Sequence, residues 1–450
     1  NDFHLLDRNS VQFDFTIGGK MKFRKRWLTL AAIGTTLLAV GCSKTQTKES
    51  SSKIPTKITK NTTVTFWYSL TGSSEKALKK MTADFEKENP KIKIKLESQG
   101  GNYADLQSKL SSTMQSPDNL PTITQAYPGW LYNAAKQKML VDLTPYVKND
   151  DLGWGSYAKS NIKQALWNGA KINNTQYGVP FNKSVEVLFY NKTLLDQYNL
   201  KVPQTMGELK SASEKIYQKS DHQVTGAGFD ALNNYYMLGM KEKGINFTKK
   251  INFSGKDSKE VIDYYADGVR KGYFMQAGTE KYMSTPFNSG KVAMFIGSTA
   301  NEAYLKQGLK KEYQFGIAPR PSKVNAQQGT DIYMFNQASA RQKSAAFKYL
   351  KFLTSKKEQF YWTKTTGYMP VNTQVLNSQA YKSLNTSKVP AILAETTKDL
   401  YFLPVTKNAT PAYDQVQASM QAILADAKKK KNINPAIQTA KQKFDASWKQ

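Results

Sequence analysis

The sequence predicts a mixed α/β protein folded into more than one compact lobe. Short β-branched and aromatic runs alternate with longer segments whose apolar residues recur at helical spacing, the order expected of βαβ units. The chain has 450 residues, and single cores stop growing at about 250–300 residues. Hydrophobic residues make up 40 % and aromatics 12 % of it, enough to fill two such cores.

Taken in chain order, the first twenty residues read as an upstream segment outside the protein. The chain opens on Asn1, and Gly18-Gly19-Lys20, whose codons resemble a purine-rich ribosome-binding site, stands directly before Met21. Residues 21–41 then have the three parts of a secretory signal: a basic start (Lys22, Arg24, Lys25, Arg26), an apolar stretch Trp27–Val40, and small residues before a cut site. That stretch is too short to span a bilayer. Cys42, the sole cysteine, follows immediately. Ala39-Val40-Gly41-Cys42 resembles the lipobox of bacterial lipoproteins, with Ala39 where Leu is commoner, which implies that Cys42 receives diacylglycerol and begins the mature chain. Residues 42–61 are polar and read as a flexible tether.

Thr63–Tyr68 is a strand by its β-branched and aromatic content. Glu75–Glu88 places Ala77, Leu78, Met81 and Phe85 on one helical face and stops at Asn89-Pro90; Ile92, Ile94 and Leu96 then alternate as a second strand. Further elements are expected as helix Tyr103–Met114, strand Thr122–Ala126, helix Trp130–Lys138, strand Glu186–Tyr190, helices Met206–Gln218 and Ser258–Lys271, strands Val292–Phe295 and Ile332–Phe335, and helix Ala340–Thr354. Lys428–Lys431 reads as a solvated helix end.

Composition excludes several functions. A net charge of +29 invites a nucleic-acid reading, but the lysines are dispersed and no recognition motif accompanies them; a Lys-rich surface suits an anionic cell envelope equally well. Past Cys42 only His222 remains of the histidines, in the polar turn Ser220–Gln223. A zinc site of Cys and His is therefore excluded, and a Ser-His-Asp triad would rest on His222 alone without a G-x-S-x-G elbow. No phosphate-binding G-x-x-x-x-G-K-[ST] occurs. Binding is favoured over catalysis, with no cofactor expected.

Six segments in order resemble the extracellular solute-binding proteins of ABC importers, in the cluster that includes maltose- and glycerol-3-phosphate-binding proteins. They are Phe66-Trp67-Tyr68, Phe85–Pro90, Gly178–Asn182 with Leu188–Lys192, Pro203–Leu209, Phe287–Met294 and Gly367–Pro370, and Gly101-Asn102-Tyr103 resembles the glycerol-3-phosphate-binding members in particular. The resemblance covers about residues 62–445. It implies a class II periplasmic-binding-protein-like fold: two α/β lobes with interleaved crossings, 62–168 with 325–368 and 172–322 with 373–450, and ligand in the cleft between them. It also implies a monomer, held by lipid at the outer face of a Gram-positive membrane, that delivers its solute to permease subunits driven by a separate ATPase.

By the same resemblance the ligand contacts fall on Tyr103, Ser184, Ser298, Gly329 and Tyr368, and the solute is glycerol-3-phosphate or a related polyol phosphate or carbohydrate. Each of these residues also has a plain structural use: Tyr103 in helix packing, the serines and Gly329 in turns, Tyr368 in a hinge. Two departures bear on the phosphate. Pro128 stands where the family has an acid, and Lys407 is the nearest cation where it has an arginine, a point charge in place of a bidentate fork. A neutral oligosaccharide stacked on Trp130, Tyr132 or Trp167 is the alternative, and a secreted glycosidase with paired carboxylates is a more distant one. Asp331 is assigned either to ligand or to a cap.

Overall fold

The computed structural model describes residues 54–449. Ten strands join in one sheet, in the order Ile92–Ser98, Thr62–Tyr68, Ile123–Ala126, Asn325–Met334, Gly178–Asn191, Val292–Ser298, Thr225–Phe229 and Phe274–Gln276; Phe315–Pro319 and Leu400–Tyr401 pair alongside the two long central strands. Both ends of the sheet are parallel. Thr62–Tyr68 runs parallel to both its neighbours, and so does Thr225–Phe229. The helix Gly72–Glu88 crosses over between the first two strands, as the helical spacing and the Asn89-Pro90 stop predict.

Two long antiparallel strands join these ends. Gly178–Asn191 pairs with Asn325–Met334 through Gly178–Val185, then with Val292–Ser298 through Glu186–Tyr190. Asn325–Met334 continues into Ile123–Ala126 through Asp331–Met334. Each strand thus begins in one half of the molecule and ends in the other.

Alternation along Gly178–Asn191 decides where the core lies. Val179, Phe181, Val185, Val187 and Phe189 enter an apolar cluster that continues beneath both halves, where it meets Val64, Phe66, Phe287 and Phe295. Burying such side chains contributes about 1.5–3 kcal/mol each. On the opposite face Asn182, Ser184 and Glu186 are polar, and the core divides there. One cluster, with Trp67, Leu106, Leu131 and Phe335, covers the first half. Another, with Leu188, Phe229, Tyr265, Met420 and Phe444, covers the second. The gap between them is a cleft floored by the polar faces of the crossing strands.

Several elements differ from expectation for local reasons. Gly178–Asn191 begins eight residues earlier than its apolar stretch suggests; Pro180 sits where pairing shifts register, opposite the Thr330/Asp331 irregularity, so its missing N–H is tolerated. Asn325–Met334 is likewise longer, its polar half hidden by Gly329. Trp130–Lys138 is not one helix: a 3-10 turn, Pro128–Leu131, leads into Tyr132–Lys136, and positive φ at Lys138 ends it. The helices Leu232–Glu242, Lys356–Thr366, Ala409–Lys428 and Asn434–Ser447 were not foreseen. Lys428–Lys431 is an exposed helix end, as read. The upstream segment, the signal, Cys42 and most of the tether lie outside the described residues; its described end lies against the body, where Ile54 and Ile58 pack on the core. Among the described residues no helix is long and apolar enough to cross a membrane.

Gly329 is fixed by its conformation. Its φ is +85°, and a Cβ there would stand 1.9 Å from the Asn182 carbonyl oxygen on the facing strand. Gly329→Ala is expected to destabilise the fold by about 1–3 kcal/mol or more, seen as a lowered midpoint in urea; an unchanged midpoint would show that the two strands separate freely here.

Candidate functional site

The cleft holds two connected cavities, of about 1030 and 420 Å³. They share a waist that includes Tyr103, Tyr127, Asp230, Tyr282 and Gly329. The larger is walled by Trp130, Phe402 and Tyr413, with Asn234, Asp414 and Gln417 supplying polar atoms. The smaller is lined by Thr71, Asn102, Ser184, Ser298, Asn301, Tyr304 and Tyr368.

At the floor the crossing strands feed one polar network. Gln125 accepts the Ser69 N–H at 3.0 Å and donates to the Asn182 side-chain oxygen at 2.9 Å. Thr330 donates to that oxygen at 2.6 Å, and the Asn182 amide donates to the Tyr103 hydroxyl at 2.7 Å. The Tyr103 and Tyr368 hydroxyls approach to 3.4 Å, and Tyr368 stacks on buried Trp362 with ring centroids 5.5 Å apart. Ser298 donates to Ser184 at 2.9 Å, aligning two hydroxyls from neighbouring strands. Buried polar groups need partners, so this network holds the cleft face of the strands in one arrangement.

Below it lies a fully buried ion pair, Lys183 Nζ to Asp331 Oδ1 at 2.5 Å, with the ammonium also donating to the Gly329 carbonyl at 3.2 Å. Burial pulls the Lys183 pKa down and pushes the Asp331 pKa up, and each charge opposes the other's shift. Removing one partner would strand a buried charge. A second buried pair, Arg320 to Glu186 at 3.1 Å, reaches the cleft wall through Asn234, which donates to Glu186 at 2.9 Å and accepts from the Tyr413 hydroxyl.

Tyr103, Trp130, Ser184, Ser298, Gly329 and Tyr368 all line this cleft. Tyr103 opens the helix Tyr103–Thr113, whose cap is Asn102 accepting the Asp105 N–H. Trp130 meets Tyr103 and Tyr127 edge-on, at 6.2 and 5.2 Å between centroids, so the three rings form one aromatic wall. The Gly329 N–H donates to the Tyr127 hydroxyl at 3.2 Å. Other candidates fall elsewhere. Trp167 is fully buried, donating to Ser160 at 3.0 Å, and is no sugar platform; Tyr132 does not line the cleft. Asp331 serves the strands, through Lys183. Lys407 is exposed and outside the lining, and the lining cations are Lys171, Lys183 and Lys281. His222 is an exposed turn residue with φ of 65°.

Sequence reading missed Tyr127, Asp230, Tyr282, Tyr304, Phe402 and Tyr413. Asp230 follows directly on the strand Thr225–Phe229, at the carboxyl end of a parallel strand, where an α/β fold gathers ligand groups. It accepts the Met283 N–H at 2.6 Å and an Asn301 amide hydrogen at 2.9 Å. Burial pushes its carboxyl up to about 7 against the pull of those two donors.

The family model described as bacterial extracellular solute-binding protein matches residues 80–390. A multiple sugar-binding protein of Streptococcus mutans is 24 % identical over 371 residues, covering 74 % of this chain and 80 % of that one. The sn-glycerol-3-phosphate-binding periplasmic protein of Salmonella typhimurium is 23 % identical over 349 residues, covering 72 % and 78 %. Among solved structures, a Mycobacterium tuberculosis protein in complex with glycerophosphocholine superposes with a TM-score of 0.74 at 17 % identity, over 86 % of this chain and 98 % of that one.

The raised Asp230 pKa has a measurable consequence. An unfolded Asp titrates near pH 4, so between about pH 4 and 7 the folded chain holds a proton that the unfolded chain has lost, and stability falls as pH rises through that window. Asp230→Asn cannot lose that proton. Its thermal midpoint relative to the parent is expected to rise between pH 5 and pH 8; a constant difference would place Asp230 in contact with bulk water.

Proposed function

The chain belongs to the bacterial extracellular solute-binding protein family, and from that premise we propose that it captures a carbohydrate of more than one ring, as a monomer, for an ABC importer. One observation carries the choice of solute. The large apolar side chains that stand exposed among the described residues are Tyr282, Phe402 and Tyr304, at 43, 37 and 36 %, and all three face the cleft. An exposed aromatic face set among hydroxyls, amides and carboxylates suits a sugar, whose C–H face lies on the ring while its hydroxyls reach outward. With Tyr103, Tyr127 and Trp130 adding a wall, the larger cavity offers several such faces.

Size agrees with this. Ligand cavities of about 300–1,000 Å³ enclose drug-sized molecules, and at about 1030 Å³ the larger cavity would surround a glycerol-sized solute mostly with water. Trp130 and Tyr103 then supply ring contacts, Ser184, Ser298 and Tyr368 supply hydroxyls in the smaller cavity, and Gly329 lets the backbone approach. The solute leaves unchanged, with no catalytic step.

A second reading, a glycerophosphate or its diester, is favoured by Lys171, a half-buried cation in the cleft lining, and by the names of two relatives. Among the described residues no arginine lines the cleft.

A thermal-shift screen of maltotriose, glycerol-3-phosphate and glycerophosphocholine separates the two, since a ligand of the folded state raises the midpoint by mass action. A shift with maltotriose, weakened about tenfold in apparent affinity by Tyr282→Ala or Phe402→Ala, is expected. A shift with the phosphates alone, lost in Lys171→Ala, would favour the second reading.

We further propose that Cys42 carries the lipid that holds the protein at the outer membrane face. Cys42→Ser is expected to move the protein from the membrane pellet to the medium; retention in the pellet would contradict the anchor.

A further inference from the structure

The two sides of the cleft touch each other directly at both rims. At one rim Thr71, which leads into the helix Gly72–Glu88 of the first half, shares a 2.9 Å hydrogen bond with the Tyr304 hydroxyl on Asn301–Gly308 of the second. At the other, Gln107 on Tyr103–Thr113 donates to Asp414 on Ala409–Lys428 at 2.9 Å. Beside it Gly129 lies so close to Thr410 that a built Cβ would be 3.5 Å from the Thr410 Cβ and 2.1 Å from its hydroxyl. Gly129 has no side chain to hold the two surfaces apart.

These contacts are made by protein atoms on both sides, so they favour closure whatever the solute. They are also exposed, and hydrogen bonds in water are individually weak, which makes the clasp reversible. We infer that Thr71–Tyr304 and Gln107–Asp414 form a two-point clasp that shuts much of the population before solute arrives. A solute's apparent affinity scales with the fraction of protein able to enclose it. The clasp therefore acts on the closing equilibrium itself, in addition to any contact that the Tyr304 ring or Asp414, both in the cleft lining, makes with a solute.

Closure can be trapped chemically. The 3.5 Å Cβ separation lies within the range of about 3.5–4.5 Å that disulfides occupy, and Gly129 and Thr410 come from opposite sides. In a Cys42→Ser background, Gly129→Cys with Thr410→Cys is expected to form an intramolecular disulfide under mild oxidation without added solute. Its initial rate is expected to fall at least threefold when Gln107→Leu and Tyr304→Phe are added. Failure of the disulfide to form without solute, or a rate indifferent to those two changes, would overturn the clasp.

A second measurement leaves positions 129 and 410 untouched. Small-angle scattering of Gln107→Leu/Tyr304→Phe, in the same background and without solute, is expected to give a larger radius of gyration than its parent; equal radii would overturn the inference.

Discussion

The antiparallel pairing of Gly178–Asn191 with Asn325–Met334 is the constraint on which the rest of the molecule depends. These strands are the shared spine of two parallel-stranded ends. Because strand side chains alternate faces, one run of residues satisfies two demands at once. Val179, Phe181, Val185, Val187 and Phe189 weld both halves to a continuous core, while Asn182, Ser184 and Glu186 present polar groups on the other side. A sheet packed on both faces would have no room for a solute. Here one face is packed throughout and the other is left open at its middle.

That opening leaves polar strand atoms in need of partners, and the molecule provides them in two layers. The deeper layer is ionic: Lys183 with Asp331, and Arg320 with Glu186. Such pairs are poor sources of net stability against apolar alternatives; Lys183–Asp331 ties the two crossing strands together, and Arg320–Glu186 ties the first of them to the end of Phe315–Pro319. The upper layer is neutral, linking Gln125, Asn182, Thr330, Tyr103 and Tyr368. It leaves the Ser184–Ser298 hydroxyls and the aromatic rims facing the cleft. Preorganisation of this kind lowers the ordering cost of binding.

Much of this was legible from sequence, and the illegible part has physical causes. The βαβ start was plain, because Thr63–Tyr68, Glu75–Glu88 and Ile92–Leu96 each carry a clean period. The crossing strands were seen only in their apolar parts: Pro180 and Gly329 normally argue against a strand, and each is tolerated here at or beside a break in register. Five expected site residues, Tyr103, Ser184, Ser298, Gly329 and Tyr368, came from motif resemblance and Trp130 from its suitability as a stacking ring, and their convergence on one cleft is a matter of chain crossing that no local pattern encodes. Tyr282, Tyr304 and Phe402 gave no signal, since an aromatic in a sequence does not announce whether it is buried. Trp167 misled for the same reason, being wholly enclosed. Asp230 stands in no motif; its place at a strand end and its two donors are what distinguish it.

A solute is expected in the gap between the two separated core clusters, over the polar face of the crossing strands. A crystal structure with a bound oligosaccharide tests it most directly. Sugar density is expected to touch Ser184 or Ser298 below and at least one of Tyr282 and Phe402 at the sides, with both halves in contact. Density outside the cleft, or held by one half alone, would contradict it.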